Sequence, residues 1–105
     1  MENNEKLEEI AMMIIANSGE ARSESFNALS EAEKGNFDEA DRLLAKAEDD
    51  LKIAHNSHSE LLKLDCSGEI ETMSVLLAHA QDHLMTSSLA KDLIKEMIVL
   101  YKRIG

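Results

Sequence analysis

EIETMSVLLAHAQDHLMTSSLAKDLIKEMIVLYKRI, residues 69–104, holds neither glycine nor proline. With nothing to interrupt it, the stretch predicts one long helix, closed by Lys102 and Arg103 where the helix dipole favours cations. One stripe of that helix is Ile70, Met73, Leu77, Ala80, Leu84, Ser87 and Ile94. A second lies well round the axis: Val75, His79, Asp82, Thr86, Leu89 and Leu93. Two neighbouring helices cover one broad face, so the second stripe asks for a further partner. A fully buried Leu or Val is worth roughly 1.5–3 kcal/mol. Leaving such a row wet is unfavourable, and self-association through this helix is expected.

Two further helices precede it. The first is expected from about Asn4 to Lys34, with apolar Leu7, Ile10, Ala11, Ile14, Ile15, Ala21, Phe26, Leu29 and Ala32. Gly35 is a preferred helix-stop residue. Asn36 offers an N-cap, with Glu39 three residues on as in a capping box. The second helix is expected from about Phe37 to Lys63, where Phe37, Ala40, Leu44, Ala47, Leu51, Ala54, His58 and Leu61 recur at three- and four-residue steps. Asp65-Cys66-Ser67-Gly68 breaks it, and Asp65 or Ser67 is placed to cap the helix that follows. Connections this short force neighbouring helices to run antiparallel. The expected architecture is all-α: an antiparallel up-down-up three-helix bundle of one domain, 1–105, with helices roughly 40–50 Å long at ~1.5 Å per residue. Gly19, inside the first helix, costs about 1 kcal/mol there relative to Ala. It either permits a close helix approach or is simply tolerated.

Composition narrows the function. The chain has 105 residues, a net charge of −10, and only Phe26, Phe37 and Tyr101 as aromatics. Such a chain repels nucleic acid and anionic lipid and has no platform for base stacking. Its partners are expected to be proteins with basic docking faces. Cys66 is alone, so no internal disulfide forms and a reducing compartment is indicated. Met1 to Ile10 lacks the basic start of a signal peptide, and Ile10–Ala16 is too short to span a bilayer. A cytoplasmic protein with no direct membrane insertion is expected.

The chemistry concentrates at His79-Ala80-Gln81-Asp82-His83. Residues three and four apart on a helix are neighbours, so His79, Asp82 and His83 share a face. An ordinary polar patch is one reading. Against it, the group is expected at mid-helix, apolar residues flank it on both sides, and Asp82 falls in the stripe expected to be covered, where a charge must be paired, protonated or metal-bound. The spacing also resembles the inverted His-x-x-Glu-His zinc-peptidase signature. Asp is shorter than the required Glu, however, and three helices supply little cleft for a polypeptide substrate. A phosphoryl carrier asks for less: one imidazole nitrogen reaching solvent as nucleophile, and neighbours that fix its tautomer. Donor and acceptor are then other proteins that dock transiently.

His79-Ala80-Gln81-Asp82-His83-Leu84-Met85-Thr86 resembles the signature of the IIA component of lactose/cellobiose-type sugar phosphotransferase systems (lactose/N,N'-diacetylchitobiose). Three further blocks are similar to that family: Ile14-Ile15-Ala16-Asn17-Ser18-Gly19-Glu20-Ala21-Arg22-Ser23, the Ala32…Gly35-Asn36-Phe37…Ala40 turn, and Ala54-His55. The resemblance implies that His79 accepts a phosphoryl group at Nε2 from the phosphocarrier protein HPr. It then passes that group to a cysteine of the IIB component for disaccharide uptake through the membrane IIC component. It also implies a homotrimer in which Asp82 and its symmetry mates surround one structural Mg2+ or other divalent cation per trimer.

His83, one turn on, is the candidate to support the phosphoryl group. Gln81 points about 200° from His79 round the helix, which speaks against a direct role. His58, where the family commonly has glutamine, reads as a local polar substitution, and His55 reads as packing. Cys66 is incidental, in the loop. Met12, Met13, Met73 and Met85 are expected mostly in the core, with some left for a docking surface. The rival reading is a non-enzymatic helical metal-binding adaptor or regulator. The sequence does not select among cellobiose, chitobiose and lactose.

Overall fold

Two glycines in the left-handed region set the corners of the fold. Gly35 has φ +84° and Gly68 has φ +79°, a conformation that costs other residues a Cβ clash. Each ends a helix in the same way. Asn36 N–H donates to the Glu31 carbonyl at 2.9 Å and Gly35 N–H to that of Ala32 at 3.0 Å. At the second corner Glu69 N–H reaches Leu64 and Gly68 N–H reaches Asp65, both at 3.0 Å. These paired bonds satisfy carbonyls that a helix end otherwise leaves bare.

The computed structural model describes residues 2–105, with side chains from Asn4 onward. Its elements are α1 (Glu2–Glu33), α2 (Phe37–Cys66) and α3 (Val75–Ile104), with no strand among the described residues. They form the expected up-down-up bundle, a rod of 54 × 19 × 16 Å. α1 packs along both other helices, while α2 and α3 meet over a shorter stretch. Lys102 Nζ on α3 holds both carboxylate oxygens of Asp41 on α2 at 2.8 Å, tying the two helices together at that end.

Four local expectations are corrected. Helix α3 begins at Val75 and not at Glu69, because Ser74 caps it: the Ser74 Oγ accepts from Leu77 N–H at 3.1 Å. Neither Asp65 nor Ser67 performs that task. Ser67 Oγ instead donates to the Leu64 carbonyl at 2.9 Å and contacts Glu69 Oε2 at 2.7 Å. Asn36 precedes α2 but makes no side-chain cap. Its Nδ2 donates back to Glu31 Oε2 at 2.8 Å, and Glu39 is taken by Arg42, so the capping box does not form. Cys66 is the last residue of α2, exposed, and not a loop residue.

The core follows the stripes. On α2 the buried residues are Ala40, Leu44, Ala47, Leu51, Ala54 and Leu61; on α3 they are Leu77, Ala80, Leu84, Ser87, Ile94 and Ile98. Ala28 joins them from α1, whereas Phe26 is exposed. The four methionines expected mostly inside, Met12, Met13, Met73 and Met85, are all exposed. On α1 and α3 they lie off the face turned to the other helices, and Met73 precedes α3 altogether.

The apolar core is divided. One cluster gathers Ile10, Ile14, Ala21, Leu51, Leu77 and Leu84; the other gathers Ala28, Ala32, Ala40, Leu44, Ile94 and Ile98. Between them α1 contributes Glu24 and Ser25, and α3 contributes Ser87, all buried. Ser25 Oγ satisfies itself on the Ala21 carbonyl at 2.7 Å. Glu24 is only 5% exposed. Lys46 Nζ stands 2.7 Å from its Oε2 as an ion pair outside directed hydrogen-bond geometry. Burial pushes the Glu24 carboxyl above its ordinary range, neighbouring Asp50 adds to the shift, and Lys46 opposes it.

Ser87 Oγ is buried without a hydrogen-bond partner among the described residues. Removing such a hydroxyl breaks no bond, and alanine is the better helix former. Ser87→Ala is therefore expected to stabilise the fold by about 0.5–1 kcal/mol. Urea unfolding should show a higher midpoint at unchanged slope; a lower midpoint would mean that this hydroxyl has a partner in the native protein.

Candidate functional site

With α3 starting at Val75, His79 stands in the second turn of its helix and not at the middle. Its side chain is exposed, as is that of Asp82, while His83 is half-buried. The second stripe is uncovered throughout: Val75 is 87% exposed, Leu89 59% and Leu93 52%. The sequence therefore placed His79 and Asp82 correctly on a face that the bundle itself does not cover.

His83 turns from that face toward α1. Its Nδ1 lies 2.9 Å from the Oγ of Ser18, a fully buried residue. The hydroxyl in turn donates to the Ile14 carbonyl one helical turn back, at 2.5 Å. A Cβ added at Gly19 would sit 3.5 Å from His83 Cε1, an ordinary van der Waals contact. Glycine at this position is thus tolerated and not demanded by the approach of the ring. The rings of His79 and His83 stand edge to face, with centroids 5.6 Å apart and planes at 63°.

The remaining polar groups of the region belong to the α2–α3 contact. Gln81 donates from Nε2 to the Leu77 carbonyl at 3.4 Å, and its Oε1 lies 3.3 Å from His58 Nε2. His55 Nε2 lies 3.3 Å from Ser88 Oγ. His58 and His55 are accordingly bridges between helices, on other partners than the His79 group. Thr86 Oγ1 donates to the Asp82 carbonyl at 2.8 Å and so leaves the Asp82 carboxylate free. Among the described residues, the ligand atoms that gather within 4.8 Å of one another are those of Glu20, Glu24 and Asp50; His79, Asp82 and His83 do not converge in this way.

Sequence reasoning missed Ser18 and Arg22 as neighbours of His83. Both lie in the block 14–23 noted above, but periodicity assigns a residue to a face and does not say which side chain it meets across a helix pair. Burial holds the His83 imidazole below its usual value of 6.5, with positive charge at His79 and then at Arg22 adding to the effect. The unfolded chain therefore takes up a proton at this ring at higher pH than the folded one. The linked stability is complete above about pH 6.5 and falls as pH drops below it. A histidine NMR titration should place the His83 midpoint below 6.5; a midpoint at or above it would contradict the assignment.

The family model described as "PTS system, Lactose/Cellobiose specific IIA subunit" matches residues 9–102. The oligo-beta-mannoside-specific EIIA component of Bacillus subtilis is 44% identical over 95 residues, covering 90% of this chain and 86% of that protein. The lactose-specific EIIA component of Streptococcus mutans is 43% identical, covering 96% and 97%. The fold superposes on the crystal structure of the cellobiose-specific enzyme IIA from Bacillus anthracis with a TM-score of 0.89, at 43% identity and 93% and 90% coverage. It also superposes on the IIA(Chitobiose) solution structure, solved as a complex with HPr of the Escherichia coli phosphotransferase system, with a TM-score of 0.82, at 40% identity and 93% and 95% coverage. Sequence and fold agree over nearly the whole chain, which belongs to the lactose/cellobiose-specific IIA family of the sugar phosphotransferase system.

Proposed function

We infer that this IIA protein carries phosphorus on Nε2 of His79, taking it from the phosphohistidine of HPr and passing it to a cysteine of a IIB component for disaccharide uptake. One observation carries the choice of residue: of the two imidazoles, His79 is exposed and makes no side-chain hydrogen bond among the described residues, while His83 is anchored inward on Ser18. A lone pair open to solvent is what a docking protein can reach. Transfer is an in-line displacement at phosphorus, in which positioning and charge stabilisation matter more than covalent assistance. The N–P bond to His79 forms as that to the donor imidazole breaks, and the electron pair returns to the donor nitrogen. His83 is the supporting residue, one turn away with the two ring centroids 5.6 Å apart. The relatives are named for several sugars, and nothing in the His79 face requires contact with any of them. A cytoplasmic location suits a protein that exchanges phosphorus with soluble partners, and no helix among the described residues is long and apolar enough to cross a membrane.

The uncovered stripe supports a homotrimer. Val75, Leu89 and Leu93 lie on one side of α3 with Asp82 among them, and a threefold axis along that side would bury all of them at once. Three carboxylates meeting there repel one another, and a divalent cation with oxygen ligands neutralises them. Asp82 fits as such a ligand: its carboxylate is exposed, hard in its donor chemistry, and makes no hydrogen bond or ion pair among the described residues. Mg2+ or a similar ion, one per trimer, would hold the subunits together and take no part in transfer.

Incubation with phosphoenolpyruvate, enzyme I and HPr should give an acid-labile, base-stable phosphate, and His79→Ala should abolish it. Mass spectrometry that located the phosphate on another residue would overturn the assignment. For the assembly, Asp82→Leu removes repulsion together with the ligand. Sedimentation should then find a trimer that persists in chelator, whereas a monomer at micromolar concentration in the parent protein would refute the trimer.

A further inference from the structure

Ser18 has one hydroxyl proton and three polar neighbours. Its Oγ lies 2.5 Å from the Ile14 carbonyl and 3.3 Å from that of Ile15, both of which can only accept. It lies 2.9 Å from His83 Nδ1, which can accept or donate according to tautomer. The residue is fully buried, so no water competes for the hydroxyl. With the Ser18 proton committed to the helix carbonyl, the remaining bond requires His83 to donate. The proton of a neutral His83 is then fixed on Nδ1, and Nε2 carries the lone pair.

The His79 ring is the neighbour of the His83 ring, with a centroid separation of 5.6 Å at an edge-to-face angle. A hydrogen bond between the rings needs only a side-chain adjustment, and such bonds commonly tighten when a partner docks. We propose that Ser18 is a positioning residue for phosphoryl transfer: by holding the His83 proton at Nδ1, it leaves His83 Nε2 to accept the Nδ1–H of His79, so that His79 presents its Nε2 lone pair to phosphorus. The chain of groups runs Ile14 C=O, Ser18 O–H, His83 Nδ1–H and Nε2, His79 Nδ1–H and Nε2. No proton leaves it during attack. The new bond forms at His79 Nε2, the donor's N–P bond breaks, and Nδ1–H stays shared with His83. The reversed tautomer of His83 would place a proton at Nε2, pointing a donor at a donor.

The proposal rests on His79 as the phosphoryl acceptor, and its test separates the two. Nitrogen-15 spectra of histidine-labelled protein, recorded without any phosphate donor, should show His83 protonated at Nδ1 with a bare Nε2, and His79 likewise. Ser18→Ala should leave thermal unfolding close to the parent but convert His83 to a mixture of tautomers. Transfer from phospho-HPr should slow about tenfold, as when the outer partner of an oriented imidazole is lost. In a His83→Gln background the same change should add nothing, because Ser18 acts through that ring. A parent His83 protonated at Nε2, or equal slowing by Ser18→Ala in both backgrounds, would overturn the proposal. If the relay mixture fails to phosphorylate His79 in the parent, the acceptor assignment fails, while the nitrogen spectra still decide the bond between Ser18 and His83.

Discussion

Three helices laid side by side cover one face of each, and α3 has more apolar surface than that. Leu77, Ala80, Leu84, Ile94 and Ile98 fill the seam against α1 and α2, while Val75, Leu89, Leu93 and Leu100 remain in water. Each exposed Leu forgoes roughly 1.5–3 kcal/mol of burial. The chemistry sits on the border of that unbalanced helix: His79 and Asp82 on the bare side, His83 leaning into the seam. Site and surplus surface are therefore one feature seen twice. A covering for the stripe sets the surroundings of Asp82, and the seam sets the pose of His83.

The seam is built from small residues. Along α1, Ser18, Ala21, Ser25 and Ala28 are all fully buried, and on α3 Ala80 and Ser87 are their counterparts in size. Small side chains let parallel α1 and α3 approach closely, and serines inside a helix can return their hydroxyls to carbonyls one turn back. Ser25 does only that. Ser18 does it while also meeting His83, which gives a buried packing residue a say in the site. The polar middle of the rod, with Glu24 disfavoured by burial and Ser87 unbonded, contributes less to stability than the apolar cluster at either side of it.

The sequence disclosed what depends on periodicity and on glycine. The α2 stripe was legible because Ala40, Leu44, Ala47, Leu51 and Ala54 recur at three- and four-residue steps, and Gly35 marked the end of α1 through a conformation that few other residues adopt. Residues 69–74 were misread because the absence of glycine and proline is weak evidence for helix, whereas Ser74 is a cap whose action depends on a backbone that turns there. Asn36 failed as a cap for a related reason: its side chain had a competing partner in Glu31. The methionines were misplaced because a flexible apolar side chain serves a core or a docking surface equally well, and spacing alone does not separate the two. His79 and Asp82 were found through their three-residue spacing, while Ser18 lies 65 positions from His83 and no pattern along the chain connects them.

Two imidazoles one turn apart have the same intrinsic chemistry, so selection between them must come from their surroundings. His83 spends one nitrogen on a buried hydroxyl, sits half out of water and resists protonation. Each of these restricts how a docking protein can reach it. His79 is exposed and makes no such bond, and in-line displacement at phosphorus needs a clear approach along one axis. With His79 as the proposed acceptor, the division gives an exposed nucleophile for the encounter and an anchored neighbour for its orientation. A carrier needs both, because it must meet two different partners with one nitrogen and hold that nitrogen in the same protonation state for each.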